Sequence, residues 1–438
     1  MSYRGFLRGG MSTAVSVAII PAERDSRIFL LPGTVGFYFA ARLCITYLFF
    51  QSDAQTGAIF SFALNLLLLV AAAFYSFGSA SSSLSFALRV PPFRWVLGFL
   101  GFGCCSLLWS VTVSKTIAFA YWCGMAAEVA IILLLLRAGT MERISSAIMK
   151  GYVLGACFIA LLEWFSPTMY DLRPGNEDFF TPNAIGFICA FGIFIAQYIS
   201  RSSKTWQVIA AFLAISLLRS LSKTTIIAFV MGEAVLLIRD KSMSRKSKLA
   251  LILIALLILW AFWGLIDDYY EVYTHLGNQS ETLSGRLGIW AVVLDRAVQE
   301  PWIGHGFHSF RNVIPPFGEF EAWHAHNELL QQFYTYGVVG IVLFVGIYGS
   351  FYRQVRRLSS PSTKALFMGL LLFIVVRGVA DTENFDLSLP LWAITLISLT
   401  LARSEDLHLD GPLGQAGSPS QLHQQGGKQR SSLKAYPS

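Results

Sequence analysis

The chemistry-bearing residues of this 438-residue chain fall into two groups. The first is His324-Ala325-His326-Asn327. A neutral imidazole titrates near pH 6.5 and takes a proton from a hydroxyl close to neutrality, so His324 and His326 are both candidates for proton transfer, with Asn327 beside them, and the bland alternative is a polar interfacial histidine bonded to loop backbone. The second group is basic: Arg219 and Lys223 flank the short turn Ser220-Leu221-Ser222, Arg286 opens an amphipathic stretch, Arg377 ends an apolar run, and Arg173 lies in the 171–181 segment. Arginine offers a planar fork to phosphate oxygens and lysine a point charge, so the set suits a diphosphate. The bland alternative is that these cations anchor helix ends or meet lipid headgroups. Two histidines two residues apart on a helix point in different directions, and acidic partners at ligand spacing are missing nearby, so no metal site is expected. Nor is a Walker or dinucleotide fingerprint found, and no cofactor is expected.

The elements that must position these residues are membrane helices. Hydrophobic residues make up 55% of the chain and charged residues 13%, about half the charged share of a soluble domain. The apolar residues come in blocks near the ~20 residues that cross a bilayer core. Helices are expected near 29–50, 56–78, 94–112, 116–136, 145–166, 182–200, 205–219, 223–238, 248–266, 335–352, 364–380 and 389–402. The fold class is therefore all-α and polytopic, with about twelve transmembrane helices. With both termini in the cytoplasm, 24 of the 33 Lys and Arg fall on the cytoplasmic side, as short retained loops require. That asymmetry accounts for the net charge of +7 without nucleic acid. The six cysteines all lie in apolar blocks and read as packing residues.

Three regions follow: a cytoplasmic segment 1–28, a membrane domain 29–402, and a disordered cytoplasmic tail 403–438 rich in Gly, Ser, Gln and Pro. The long polar loop 267–335 faces outward. Within it, Ser284 is expected to cap a helix that puts Leu287, Trp290, Leu294 and Ala297 on one face. A second helix is expected from Ala322, carrying His326 and stopped by Gly337.

Motif order adds a resemblance. Gly285-Arg286-x-x-x-Trp290, Pro301-x-x-Gly304-x-Gly306, His324-x-His326-Asn327 and Gly337-x-x-Gly340, preceded by Pro182-Asn183-x-x-Gly186 and Ser222-Lys223, resembles the O-antigen ligase and polymerase superfamily. The resemblance implies a GT-C-like glycosyltransferase of the bacterial inner membrane, using neither metal nor nucleotide-sugar. Its donor would be a glycan on undecaprenyl diphosphate and its acceptor a glycan or lipid-linked chain, among membrane lipids and beside other polysaccharide assembly proteins. It implies functional roles for Arg286, Lys223 and His326. Ligases of the family often carry Arg where this chain has Lys223, and the Lys form looks more like the exopolysaccharide polymerase branch. The rival readings are a ligase to lipid A–core or protein, and a lipid-linked sugar flippase.

Overall fold

The computed structural model describes residues 30–50, 54–77, 84–166, 168–169, 172–175, 180–199, 203–241, 244–264, 267–268, 283–311, 313–315, 322–383 and 385–409. The expectations for 1–28, for most of the tail, and for parts of the 267–335 loop lie outside them.

The helices run α1 (Leu30–Phe50), α2 (Ala54–Ser76), α3 (Leu84–Arg89), α4 (Pro91–Ser106), α5 (Lys115–Arg137), α6 (Met141–Phe165), α7 (Pro182–Ile199), α8 (Lys204–Arg219), α9 (Lys223–Arg239), α10 (Arg245–Ala261), α11 (Leu283–Ala297), α12 (Glu328–Arg357), α13 (Pro361–Gly378) and α14 (Leu391–Leu409). Among the described residues six helices are long and apolar enough to cross a membrane: α2, α5, α6, α7, α12 and α13. The chain is an all-α, polytopic membrane protein. Every expected span has a helix at its position, and α14 continues seven residues past 402.

In lipid there is little hydrophobic force between helices, so close packing of small residues takes its place. Helix α9 crosses α13 where Gly232 meets Gly369: a Cβ on either would lie 2.7 or 2.6 Å from the other's carbonyl oxygen. Trp392 of α14 joins four helices at the core, its ring 4.5 Å from Phe39, 5.6 Å from Tyr152 and 6.4 Å from Phe191. An ion pair between Arg42 and the buried Glu128 ties α1 to α5, as intramembrane charge requires a partner.

Two loop expectations are corrected. Helix α11 begins at Leu283, so Ser284 is inside it rather than its cap. Its buried face is Ile289, Val293 and Ala297, packed with Phe310, Ile314 and Tyr334, while Leu287 and Leu294 are exposed. The second helix starts at Glu328, not Ala322, because Asn327 caps it: its Oδ1 accepts from the Leu330 N–H at 2.9 Å. Nor does Gly337 stop the helix. It kinks it, at φ 62° and ψ −151°, and α12 runs on to Arg357.

Candidate functional site

One end of the bundle gathers the ends of α4, α6, α8 and α13, the starts of α5, α7, α9, α12 and α14, and the loop helix α11. The kink in α12 shapes it. Past Gly337 the helix has lost its own hydrogen-bond partners, and the Pro301 and Trp302 carbonyls accept from Val338 N–H (2.8 Å) and Val339 N–H (3.2 Å). His305 N–H and Gly306 N–H donate in return to Tyr334 and Thr335 carbonyls, at 3.0 and 2.8 Å. A Cβ on Gly304 would lie 2.5 Å from Tyr336 N, and one on Gly337 2.6 Å from Pro301 O. The Pro-x-x-Gly-x-Gly and Gly-x-x-Gly motifs are therefore two halves of one backbone junction, both glycines having positive φ.

That junction fixes the turn ahead of α12. His326 sits there at φ 50°, a left-handed conformation unusual for a side chain this size. His324 and His326 are not on a helix, so the expectation that they diverge is wrong. Their ring centroids are 4.1 Å apart, and His326 N–H donates to His324 Nδ1 at 3.2 Å. His326 Nδ1 lies 3.8 Å from Asp381 Oδ1. The second Asp381 oxygen accepts from Arg377 Nη2 at 2.8 Å.

Electrostatics follow from that geometry. Burial disfavours ionised Asp381, yet Arg377 and the two histidines outweigh it and hold its carboxyl below the usual range. His324 is pushed well below 6.5 by burial, by His326, and by the Arg377 and Arg286 charges, so it stays neutral. Arg377 itself is 2% exposed, pairs also with Glu383 Oε1 at 3.5 Å, and lies over the Phe187 ring at 4.6 Å.

Glu328 locks the two loops together. Its Oε2 accepts from Thr382 Oγ1 (3.1 Å), from Ser388 N–H (2.9 Å) and from Ser388 Oγ, so the Asp381 loop is pinned to the first turn of α12. Asn327 adds a second tie, Nδ2 donating to the Val379 carbonyl at 2.9 Å.

The basic residues divide. Arg286 Nη1 lies 3.4 Å from Thr224 Oγ1, which brings α11 to the Ser222-Lys223-Thr224 turn. That turn is itself built from the upstream motif: Ser222 Oγ donates to Asn183 Oδ1 at 2.7 Å, and a Cβ on Gly186 would meet the Ser222 Cβ at 3.0 Å. Leu221 within it has φ 51°. Lys223 is exposed at the start of α9. Arg219 turns instead to Trp164, its guanidinium carbon 4.6 Å from the ring centroid. Arg173 is buried in a separate turn, its carbonyl accepting from Met169 N–H at 2.7 Å. The structure thus joins Arg286 with the Lys223 turn, and Arg377 with His326 through Asp381.

Asp381 and Glu328 escaped sequence reasoning. The spacing Arg377-x-x-x-Asp381 at the end of an apolar run was the available signal, since residues i and i+4 on a helix share a face. His324, His326 and Asp381 also present ligand atoms within 4.8 Å of one another, a constellation the helical reading excluded. A cation there would share Asp381 with the Arg377 guanidinium, which holds the other carboxylate oxygen at 2.8 Å, and would meet the Arg286 charge as well. Two nearby positive charges disfavour a cation, so the donor set fits a charge-coupled His–Asp–Arg relay better than a metal.

Residues 208–345 match the protein family described as O-Antigen ligase. The exopolysaccharide production protein ExoQ of Rhizobium meliloti is 24% identical over 362 residues, which cover 72% of this chain and 81% of that protein. The O-antigen ligase of Pseudomonas aeruginosa is 32% identical over 139 residues, 32% of this chain and 33% of that protein. The matched stretch holds the Lys223 turn, Arg286, His326 and the α12 kink, and through it this chain is shown to resemble the O-antigen ligase superfamily, as its motifs indicate.

Proposed function

We propose that this protein is a membrane glycosyltransferase that lengthens or transfers a glycan carried on undecaprenyl diphosphate, at the outer face of the bacterial inner membrane. The observation that carries the reading is the meeting of His326 with Asp381 beside the Arg286–Lys223 turn. An acceptor hydroxyl attacks the anomeric carbon of the donor's first sugar. Its proton passes to His326, whose Nδ1 is turned toward Asp381, leaving Nε2 for the hydroxyl. The bond between the anomeric carbon and the diphosphate oxygen breaks, and the diphosphate leaves with the bonding electrons. Arg286 and Lys223 stabilise that growing charge, so they contribute most in the transition state. Direct displacement inverts the anomeric centre and forms no covalent intermediate. Diphosphate is a good leaving group, so no acid is needed on its side.

Arg377 is committed to Asp381, so it serves this scheme by orienting the relay rather than by gripping phosphate. Arg219, turned to Trp164, and Arg173, buried in its own turn, have no direct part in this scheme. ExoQ aligns over most of its length, which favours an exopolysaccharide-type polymerase. Transfer to lipid A–core or protein is the alternative, supported by the shorter O-antigen ligase match. A flippase reading is disfavoured because the His326, Asp381, Arg286 and Lys223 groups gather at one end of the bundle instead of its middle.

Purified protein mixed with a defined undecaprenyl-diphosphate oligosaccharide tests this directly, with products sized by gel and mass spectrometry. Longer lipid-linked chains support polymerisation, and transfer to added lipid A–core supports ligation. Movement across a bilayer without new bonds overturns both.

A further inference from the structure

A second strained imidazole lies apart from this relay. His308 has φ 62°, and non-glycine residues held in that region cluster where structure serves function. Its Nδ1 lies 2.7 Å from Thr112 Oγ1, in the loop between α4 and α5. The ring stacks on Phe385 at 4.9 Å and 14°, and on Tyr121 at 5.3 Å and 22°. Tyr121 and Phe385 close the triangle at 4.6 Å. All three rings are half-exposed. They pack on one another as an aromatic cluster contributed by α5, the 298–327 loop and the Asp381 loop, with part of its outer ring surface exposed.

Beside that cluster runs a narrow cavity lined by His308, Phe385, Ser309, Gln332 and Tyr336, among others. Ser309 Oγ, Gln332 Oε1 and Tyr336 OH are buried there with no hydrogen-bond partner among the described residues. Buried oxygens of this kind are costly unless a partner satisfies them. The same cavity reaches the relay: Gln331 lines it and accepts, through Oε1, from Ala325 N–H at 2.8 Å, the residue between the two histidines. An aromatic face beside under-satisfied oxygens matches one ligand chemistry, a sugar ring. The C–H face of a pyranose lies on π-systems, and its hydroxyls supply donors to carbonyl, hydroxyl and phenol oxygens. Burial lowers the His308 pKa, so the imidazole is neutral and Nε2 can exchange a hydrogen bond with a hydroxyl.

We propose that the Tyr121–His308–Phe385 face is a glycan subsite that seats a pyranose ring next to the reaction centre, with ring hydroxyls reaching Ser309 and Gln332. This rests on the glycosyltransferase reading above and adds where its sugar is held. The cavity is too narrow for a whole ring, so the ring lies on the aromatic face and only its hydroxyls enter.

The test uses full-length protein in lipid nanodiscs and two separate probes. One is the oligosaccharide repeat released by mild acid from the host's lipid-linked intermediates, followed by saturation-transfer NMR. The other is undecaprenyl diphosphate without sugar, followed by titration. Wild type should bind the oligosaccharide. Phe385→Ala and His308→Ala should weaken that binding about tenfold, as loss of an aromatic contact predicts, and Phe385→Tyr should retain it. All three variants should bind the lipid diphosphate as wild type does, which shows an intact fold. Unchanged oligosaccharide binding in Phe385→Ala and His308→Ala, or none in wild type, overturns the subsite. The catalytic reading fails on a different arm, if Arg286→Ala and Lys223→Ala leave lipid diphosphate binding untouched. In turnover assays, a raised KM for the donor alone assigns the subsite to the donor's sugar, and a raised KM for the acceptor alone assigns it to the acceptor's.

Discussion

In the proposed scheme His326 is the base and Asp381 the carboxylate that orients it, so their variants should differ. His326→Ala should lower kcat by about 10²- to 10⁴-fold, the usual worth of a positioned general base, with correctly inserted protein. Asp381→Asn keeps the shape and removes the charge facing His326. It should lower kcat while leaving lipid diphosphate binding close to wild type, because Asp381 faces Arg377 and the imidazole rather than the Lys223 turn. A binding defect as large as the rate defect would refute that assignment. Lys223→Arg should retain activity, since a guanidinium can replace a point charge at a phosphate.

Acid sensitivity is also a residue-scale matter. His324 has a folded pKa well below its ordinary 6.5. In the unfolded chain it takes a proton as pH falls through 6.5, and in the folded chain it does not. Stability is therefore full above that pH and lost below it. Asp381, depressed from 3.8, extends the loss to more acid conditions in the same direction. Thermal melting in detergent should show a lower Tm at pH 5 than at pH 7.5, and His324→Gln should remove part of the difference.

At the scale of elements, the kinked α12 and the 301–306 loop stand or fall together. Gly337→Ala puts a methyl group within 2.6 Å of the Pro301 oxygen and forces it into a left-handed conformation. The expected cost is about 2 kcal/mol or more, read as a drop in Tm. Activity should fall further than stability alone explains, because the His326 turn hangs on that junction. Gly349→Ala, on the same helix with open space around the added Cβ, is the matching control and should change neither. Glu328 belongs to the same scale: three hydrogen bonds from the 382–388 segment end on one of its oxygens, so its position decides where Asp381 lies.

For the whole molecule, the proposal requires the site end of the bundle to face away from the cytoplasm. A single cysteine at position 287, exposed on α11, introduced into a chain lacking the native six, should react with an impermeant maleimide added to intact spheroplasts. Labelling only after lysis would invert the topology and remove the proposed donor. Because the Arg377 and Arg286 charges lie beside the His324–His326–Asp381 cluster, EDTA should leave turnover unchanged. Activity restored specifically by added divalent metal would instead assign His324, His326 and Asp381 to a cation.

Much of this was legible in the chain alone. Block length and the Lys/Arg distribution fix a helical membrane protein, because an apolar run in lipid can satisfy its backbone only as a helix. Side-chain chemistry gave two histidines and five basic residues as candidates, because few residue types exchange protons or grip phosphate near neutral pH, and the motif resemblance narrowed them to His326, Arg286 and Lys223. What sequence periodicity could not show is convergence. His324 and His326 meet because Asn327 captures an N–H and holds the preceding turn out of the helix. Asp381, 55 positions beyond His326, meets it only because Glu328 and Arg377 fold that loop back. Arg377 and Arg219 looked alike as cations near a span's end, and tertiary structure separated them by giving one a buried carboxylate and the other a tryptophan face. Local sequence sets what a residue can do, whereas its partner is chosen by contacts far along the chain, which packing alone decides.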